Sequence, residues 1–334
     1  MILAGDIGGT KTNLAIFTIE GDHPSPVVES TLTSKDYGGL EDLVRQFLDQ
    51  ATSHHPWVTI DQISRACFGV AGPVVDDRSE ATNLPWVIDA KGLERTLRLK
   101  RVSVINDLVA TAYGIPALKP EEVFVLNEGR SHPGGNMALI AAGTGLGEAI
   151  LFWDGEVYRT VASEGGHADL APRNTLEIEL LQNLLSQFHR VSYERVLSGP
   201  GIFNIYSFLK QAGYGQEPSW LAEKFQGQDP SAVITEAAMR GESDLCVRTL
   251  HLFVSLYGAE AGNLALKALA TGGVYIGGGI APKILDQLKD GTFMAAFTDK
   301  GRLSPVLEAT PVRVILNPKT ALYGAARCAT LLQK

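Results

Sequence analysis

The sequence predicts an α/β fold built from two related lobes. Two hairpins support this prediction, at residues 2–19 and 138–152, each with an apolar strand, a turn of glycine and threonine, and a second apolar strand. Between them, strands alternate with helices. We expect strands at residues 65–70 and 102–105 and helices at residues 40–51 and 108–113. The repeated hairpin indicates that the second lobe resembles the first.

The second half of the chain predicts more helices and one glycine-rich strand. The helices are expected at residues 176–188, 202–211, 231–239, 282–289 and 321–332, and the strand at residues 274–279. Proline and polar residues interrupt the pattern at residues 115–122, where we expect the chain to cross between lobes. The predicted small lobe therefore comprises residues 1–116 and 318–334, and the predicted large lobe residues 117–317.

Composition excludes several classes of protein. A net charge of -8, with no basic block beyond residues 98–101, argues against a nucleic-acid partner. Three cysteines without CxxC spacing predict neither a disulfide framework nor a structural zinc site. Asp6 and a glycine turn come before any signal-peptide core, so we expect a cytoplasmic protein. The apolar stretch at residues 251–270 contains Glu260 and Lys267, which predicts a buried helix and no membrane partner.

The first hairpin turn, with its flanking residues Gly5-Asp6-Ile7-Gly8-Gly9-Thr10-Lys11-Thr12, fits the P-loop pattern GxxxxGK[ST] except that Thr10 stands in place of the second glycine. A P-loop leads from a strand into a helix, whereas a strand is predicted after this turn, so we reject that interpretation. Gly8 and Gly9 still permit close approach of backbone N–H groups to phosphate, and Asp6 is a candidate to hold Mg²⁺ through water. An ordinary hairpin turn is the alternative for this loop alone.

The second hairpin turn, Gly143-Thr144-Gly145, favours phosphate binding over an ordinary turn, because two such loops can hold one polyphosphate. A third glycine segment, Gly277-Gly278-Gly279, follows a predicted strand and precedes a helix. It offers close approach for a flat ring such as adenine, at the strand end where α/β proteins bind ligands. Tight packing of helix on strand is the competing explanation.

Asn106 and Asp107 follow a predicted strand and precede an apolar helix. Helix capping alone would explain them. Phosphoryl transfer to an alcohol, however, needs a carboxylate that orients the hydroxyl and accepts its proton, so Asp107 is the candidate base. Glu164, His167 and Glu194 have the hydrogen-bonding groups that suit vicinal sugar hydroxyls. A metal site or a purely structural histidine is the alternative there.

Taken in order, these motifs resemble those of the bacterial glucokinases, in the actin-like, hexokinase-related ATPase superfamily. Residues 6–10 look like the first phosphate loop of that family, residues 142–147 like the second, and residues 277–280 like its adenosine segment. Residues 82–86 are similar to the sugar-facing loop, which assigns Asn83 to glucose. Lys11 departs from the Asn of some members, and the cysteine-rich zinc motif of the related ROK proteins is absent from the sequence.

The resemblance implies a two-lobed, ribonuclease H-like fold with an interlobe cleft, and ATP-dependent phosphorylation of glucose at the 6-hydroxyl for glycolysis. It assigns Asn83, Asn106, Asp107, Glu164, His167 and Glu194 to glucose, with Asp107 as base. It assigns to ATP the residues Asp6, Gly8, Gly9, Thr10, Lys11, Gly143, Thr144, Gly145, Gly277, Gly278 and Gly279. It further implies Mg²⁺, no structural zinc and a homodimer. The alternatives are a kinase for another hexose, a sugar-sensing regulator without catalysis, and an actin-like or chaperone-like ATPase.

Overall fold

The computed structural model describes residues 1–20, 23–81 and 84–331, so the predicted glucose ligand Asn83 lies outside the described residues. The chain forms two compact α/β units. The first comprises residues 1–120, 158–160 and 317–334, and the second residues 121–157 and 161–316. The predicted α/β class is confirmed.

The strands and helices are bounded as follows. The strands are β1 (Ile2–Ile7), β2 (Lys11–Glu20), β3 (His23–Thr33), β4 (Arg65–Val70), β5 (Arg78–Glu80), β6 (Val87–Asp89), β7 (Val102–Asn106), β8 (Val123–Asn127), β9 (Met137–Ala142), β10 (Leu146–Trp153), β11 (Tyr158–Ser163), β12 (Gly273–Gly277) and β13 (Val312–Ile315). The helices are α1 (Leu40–His54), α2 (Ala90–Leu97), α3 (Asp107–Gly114), α4 (Thr175–Leu185), α5 (Gly199–Gln211), α6 (Ser219–Lys224), α7 (Pro230–Met239), α8 (Asp244–Ala268), α9 (Leu285–Lys289), α10 (Thr292–Thr298), α11 (Ser304–Glu308) and α12 (Thr320–Leu331).

The sheet of the first unit has the order β3-β2-β1-β4-β7. Strand β1 pairs antiparallel with β2 and parallel with β4, and it is buried on both faces. Leu3 and Ile7 pack into the core that contains α1 and α2, whereas Ile2 and Ala4 pack into the core that contains α12. This two-sided burial explains why β1 is almost entirely apolar before Asp6.

The sheet of the second unit repeats that order as β11-β10-β9-β12-β13, with β8 added beyond β13. Strand β9 pairs antiparallel with β10 and parallel with β12, as β1 does with β2 and β4. Helix α8 is the longest described helix and contributes fully buried aromatic residues, Phe253 and Tyr257, to one large core. The two related hairpins therefore begin two sheets with the same strand order.

Several boundaries differ from the expected ones for local reasons. The glycine-rich strand ends at Gly277, because Gly278 has a φ of 82° and turns the chain. The next segment starts as a 3-10 helix over Ala281–Ile284, with Pro282 in its first turn, before α9 begins. Among the described residues, no helix is both long and apolar enough to cross a membrane.

Within the first unit, α3 and α12 pack closely through glycine. A Cβ atom added at Gly324 would lie 1.7 Å from the carbonyl oxygen of Ala110, and one at Gly114 would lie 2.2 Å from that of Thr320. Both neighbours are backbone atoms, so neither can rotate away. The two helices can approach to this distance only without side chains at these positions.

We expect Gly324→Ala to destabilise the first unit. Alanine gains about 1 kcal/mol of helix propensity, but the clash with the α3 backbone should outweigh it and lower the free energy of unfolding by about 2–3 kcal/mol. Urea unfolding measures the change. Gly38→Ala is the matched control, because its added Cβ would make only an ordinary contact at 3.6 Å. Equal stability of the two variants would contradict the packing argument.

Candidate functional site

The turn between β1 and β2 is held by backbone hydrogen bonds and by one buried serine. The N–H of Gly8 donates to the carbonyl oxygen of Lys11 at 3.0 Å. Ser34 donates its hydroxyl to the Gly8 carbonyl oxygen at 2.7 Å and its N–H to that of Thr10 at 3.0 Å. The chain continues into strand β2, which supports the rejection of a P-loop. The side chains of Thr10 and Lys11 are left exposed.

Asp6 and Asp107 lie near the carboxyl ends of two strands of the same sheet, β1 and β7. The Asp6 carboxylate accepts a hydrogen bond from Asn13 Nδ2 at 3.2 Å. Burial raises the pKa of Asp6, and the Asn13 bond opposes that shift. Burial also raises the pKa of Asp107, with a further contribution from the charge of Asp6. The two carboxyl groups therefore interact electrostatically in a partly dehydrated setting.

Asn106 caps α3, which confirms the structural alternative for this residue. Its Oδ1 accepts the N–H of Leu108 at 2.9 Å and that of Val109 at 3.3 Å, and its Nδ2 donates to the Gly72 carbonyl oxygen at 3.0 Å. These bonds fix the start of the helix. They also fix the backbone of Asp107, the first residue of α3. The capping of α3 by Asn106 is thus compatible with the predicted role of Asp107 in catalysis, because the cap fixes the backbone of Asp107.

The carboxylates of Asp6 and Asp107 are the groups in this unit that fit Mg²⁺. The structure shows no cluster of three or more His, Cys, Asp or Glu residues suited to a metal ion in the described ranges. Mg²⁺ does not require one, since it commonly binds one or two carboxylates and completes its shell with water and substrate phosphates. A cation near Asp6 would also offset the mutual repulsion of the two acids.

In the second unit, the corresponding turn, between β9 and β10, contacts Glu194. The N–H of Gly143 donates to the Gly145 carbonyl oxygen, and the N–H of Gly199 donates to that of Gly143, both at 2.8 Å. The backbone N–H of Leu146 donates to Glu194 Oε2 at 2.9 Å. A Cβ atom at Gly145 would lie 2.5 Å from that oxygen. Glycine is therefore required here for the carboxylate to reach the loop.

The structure brings together three residues predicted to bind sugar. Glu164 and His167 belong to one short turn after β11, in which the N–H of His167 donates to the Glu164 carbonyl oxygen at 3.0 Å. His167 Nε2 lies 4.0 Å from Glu194 Oε1. Arg190 supports the turn from outside by donating to the carbonyl oxygen of His167 at 2.5 Å. An exposed imidazole and a half-buried carboxylate thus stand beside the second glycine loop.

A cavity of about 940 Å³ borders this loop at Gly143 and Thr144. It is lined by Gly143 and Thr144, by residues of α5 and α7, and by Gly279 and Lys283. Of the three glycines predicted to approach adenine, only Gly279 lines the cavity. Gly277 is buried, and a Cβ at Gly278 would lie 2.2 Å from the Ala142 carbonyl oxygen, so tight packing explains Gly278.

Sequence reasoning missed Ser34, which supports the first loop, and Arg190, which supports the His167 turn. Neither stands in a recognisable motif. Thr12 Oγ1 lies 3.0 Å from Ser34 Oγ, and both residues are buried. Buried serine and threonine hydroxyls are expected to form hydrogen bonds, but Thr12 and Ser34 are too far apart in the sequence for their pairing to be predicted.

Comparisons with known proteins indicate the family of this chain. The model of the glucokinase family matches residues 3–332. A glucokinase of Trichormus variabilis is 44% identical over 99% of both chains. The crystal structure of a glucokinase from an Antarctic psychrotroph is 32% identical, with a TM-score of 0.87 over 99% of this chain and 98% of that one.

A more distant structure shares the fold. It is that of a ROK family glucokinase from Streptomyces griseus in complex with glucose and AMPPNP, 21% identical, with a TM-score of 0.63 over 99% of both chains. The match of the family model extends over nearly all of the sequence, and the similar proteins are covered almost completely. This chain belongs to the glucokinase family.

Proposed function

We propose that this protein transfers the γ-phosphoryl group of ATP to the 6-hydroxyl of glucose, giving glucose 6-phosphate for glycolysis. The observation that carries the proposal is the position of residues 143–145. Gly143 and Thr144 of this loop line a cavity large enough for a nucleotide. The next residue after the loop, Leu146, donates its N–H to Glu194, whose carboxylate lies 4.0 Å from His167. Donor and acceptor groups therefore meet at one glycine loop.

ATP is assigned to the cavity and to both hairpin loops. Thr144 and Gly145 offer backbone N–H groups and the Thr144 hydroxyl to phosphate oxygens, and Gly143 leaves the space beside them open. Gly279 leaves room for the adenosine. In the first unit, Asp6, Gly8, Gly9, Thr10 and Lys11 supply the matching loop. Gly277 and Gly278 serve this site indirectly, because Gly277 packs against Leu139 and Ala141 and Gly278 allows the chain to turn closely beside Ala142.

Glucose is assigned to Asn83, Asn106 and Asp107 in the first part of the chain and to Glu164, His167 and Glu194 in the second unit. Carboxylates accept hydrogen bonds from pairs of sugar hydroxyls, and the imidazole either accepts or donates one. Glu194 is held by the Leu146 N–H, so its second oxygen remains oriented toward His167. A fixed carboxylate loses little freedom when the sugar binds.

Asp107 is the proposed general base. It would accept the proton of the 6-hydroxyl as that oxygen bonds to the γ-phosphorus and the bond to ADP breaks. Its raised pKa brings the base closer to the pH at which it must accept a proton. Mg²⁺, when bound through Asp6, would neutralise negative charge on the phosphates.

The proposal includes a homodimer, because twofold homodimers are the most frequent oligomers. It also includes a cytoplasmic location, which three free, buried cysteines support.

Asp107→Ala tests the assignment most sharply. In a coupled assay with ATP and glucose, the unmodified protein should form glucose 6-phosphate. The variant should lose about 10³-fold in kcat, because proton transfer loses its base, while glucose binding stays measurable by calorimetry. Asp89→Asn is the control: it retains the cap on Gly92 N that Asp89 provides at 2.8 Å, and kcat should stay within about twofold.

The same assay separates the alternatives. Near-normal turnover by Asp107→Ala would remove Asp107 from the role of base. An unmodified protein that binds glucose but forms no product would instead be a sugar-sensing regulator. Turnover with another hexose at a higher kcat/KM would revise the substrate.

Gly279→Leu tests the nucleotide site. A Cβ at this position meets no atom within 4 Å, so folding should be unaffected, but the longer side chain would enter the cavity. We expect the KM for ATP to rise by about tenfold and the KM for glucose to change by less than about twofold. Gly227→Leu is the control, because Gly227 has equal space and does not line the cavity. An unchanged KM for ATP would place the nucleotide elsewhere.

A further inference from the structure

Two buried glutamates lie close to the turns of the second unit that carry the proposed sugar ligands. Glu148, on β10, is 1% exposed, and Glu260, on α8, is fully buried. Glu260 lies close enough to Glu148 to raise the pKa of the Glu148 carboxyl group. Among the described residues, none supplies a hydrogen-bond partner to Oε1 of Glu148. A buried carboxylate without partners is costly, so the pair requires a special explanation.

Glu260 has further partners, whereas Glu148 has few. Asn263 Nδ2 donates to Glu260 Oε2 at 2.8 Å, and Lys267 Nζ donates to Oε1 at 3.2 Å. Lys267 directly balances the charge of Glu260, and Lys300 also interacts with Glu260 electrostatically. A hydrogen bond between the two carboxyl groups would need a proton, and Glu148 is the acid with less compensation. In the neutral form, Glu148 can donate to Glu260.

The pair contacts both turns that carry the proposed glucose ligands. A Cβ atom at Gly165 would lie 2.0 Å from Glu148 Oε2, so this carboxyl group abuts the turn that contains Glu164 and His167. On the other side, Asn263 Nδ2 also donates to the hydroxyl of Tyr193 at 3.1 Å. Tyr193 directly precedes Glu194. The network formed by Glu148, Glu260 and Asn263 therefore contacts both turns.

We propose that neutral Glu148, hydrogen-bonded to Glu260, is a positioning residue that holds the turn of Glu164 and His167 in the geometry that binds glucose. This inference rests on the proposed function, because it assigns Glu148 to the sugar site of that reaction. Glu148 touches no substrate. It acts through the backbone at Gly165, where any displacement of its carboxyl group moves the turn.

The charged state of Glu148 should change near neutral pH. Burial, and then the charge of Glu260, raise the pKa of Glu148 to about 7, while Lys267 opposes the shift. The titratable groups around the pair are Glu260, Lys267 and Tyr257 on α8, Tyr193 before Glu194, and Lys300, which interacts with Glu260. Above its pKa, Glu148 loses the proton that it shares and becomes a second negative charge beside Glu260. The carboxyl groups then repel each other beneath the turn.

Glu148→Gln tests the inference, since glutamine keeps the shape and a donor but cannot ionise. Between about pH 6 and pH 8.5, glucose binding to the unmodified protein should weaken by about tenfold, the effect of one pKa unit of coupling. In Glu148→Gln the glucose Kd should change by less than about twofold over the same range. Calorimetry without nucleotide gives Kd, and kcat at saturating glucose should be similar in both proteins.

Glu177→Gln is the matched control. Glu177, on α4, is another fully buried glutamate of the second unit, but it pairs with Arg173. Its substitution should lower stability and leave the pH dependence of glucose binding as in the unmodified protein. Equal pH dependence in Glu148→Gln and the unmodified protein would overturn the inference. An unmodified protein that forms no glucose 6-phosphate at any pH would instead refute the proposed function.

Glu260→Gln provides a second test if Glu148→Gln fails to fold. Removing the charge of Glu260 abolishes the repulsion between the two carboxyl groups, so the glucose Kd of this variant should change by less than about twofold between about pH 6 and pH 8.5. Calorimetry at the two pH values measures this change. A tenfold weakening that persists in Glu260→Gln would contradict the coupling between the two acids and overturn the inference.

Discussion

The hydrogen bond from the Leu146 backbone N–H to Glu194 Oε2 organises the proposed sugar site. It forms because residue 145 is glycine, and any side chain there would displace the carboxylate. The bond holds the Glu194 carboxylate at the start of β10, beside His167, while Gly143 and Thr144 of the preceding turn line the cavity proposed for the nucleotide. A hydrogen bond to a charged carboxylate is among the stronger ones in proteins, so a short loop suffices to fix this geometry.

Strand β10 also contacts the turn that contains His167. Leu146 presents its N–H to Glu194 and its carbonyl oxygen to Gly166, where an added Cβ would lie only 2.0 Å away. Two residues later on the same side of the strand, Glu148 abuts Gly165. The turn that contains His167 therefore packs closely against β10 at two consecutive glycines, Gly165 and Gly166. The loop of the first unit is built differently, since a buried serine from beyond β3 holds it.

The sequence predicted what depends on local pattern. The two hairpins, the strand before Asp107 and the buried helix α8 all follow from apolar periodicity and glycine turns, and the structure confirms them. Glycine composition also indicated close backbone approach, but not its cause. Gly145 makes room for a carboxylate and Gly278 for the Ala142 backbone, and only the folded chain distinguishes these two uses.

Interactions between distant residues could not be predicted in the same way. Glu148 stands in a strand whose alternation marks its position as buried, yet the sequence does not show that Glu260 lies opposite. Asn106 matched both a helix cap and a sugar ligand, and the cap is formed. The proposed sugar ligands come from segments far apart in the chain. Their identity could be inferred from chemistry and resemblance, whereas their contacts required the fold.

The most direct test of this account is the affinity of Gly145→Ala for glucose, measured by calorimetry without nucleotide. The added methyl group should displace Glu194 and weaken glucose binding by at least about tenfold, with the free energy of unfolding little changed. Gly227→Ala, in open surroundings, should bind glucose as the unmodified protein does. Unchanged glucose affinity in Gly145→Ala would show that the contact between the loop and Glu194 does not organise the sugar site.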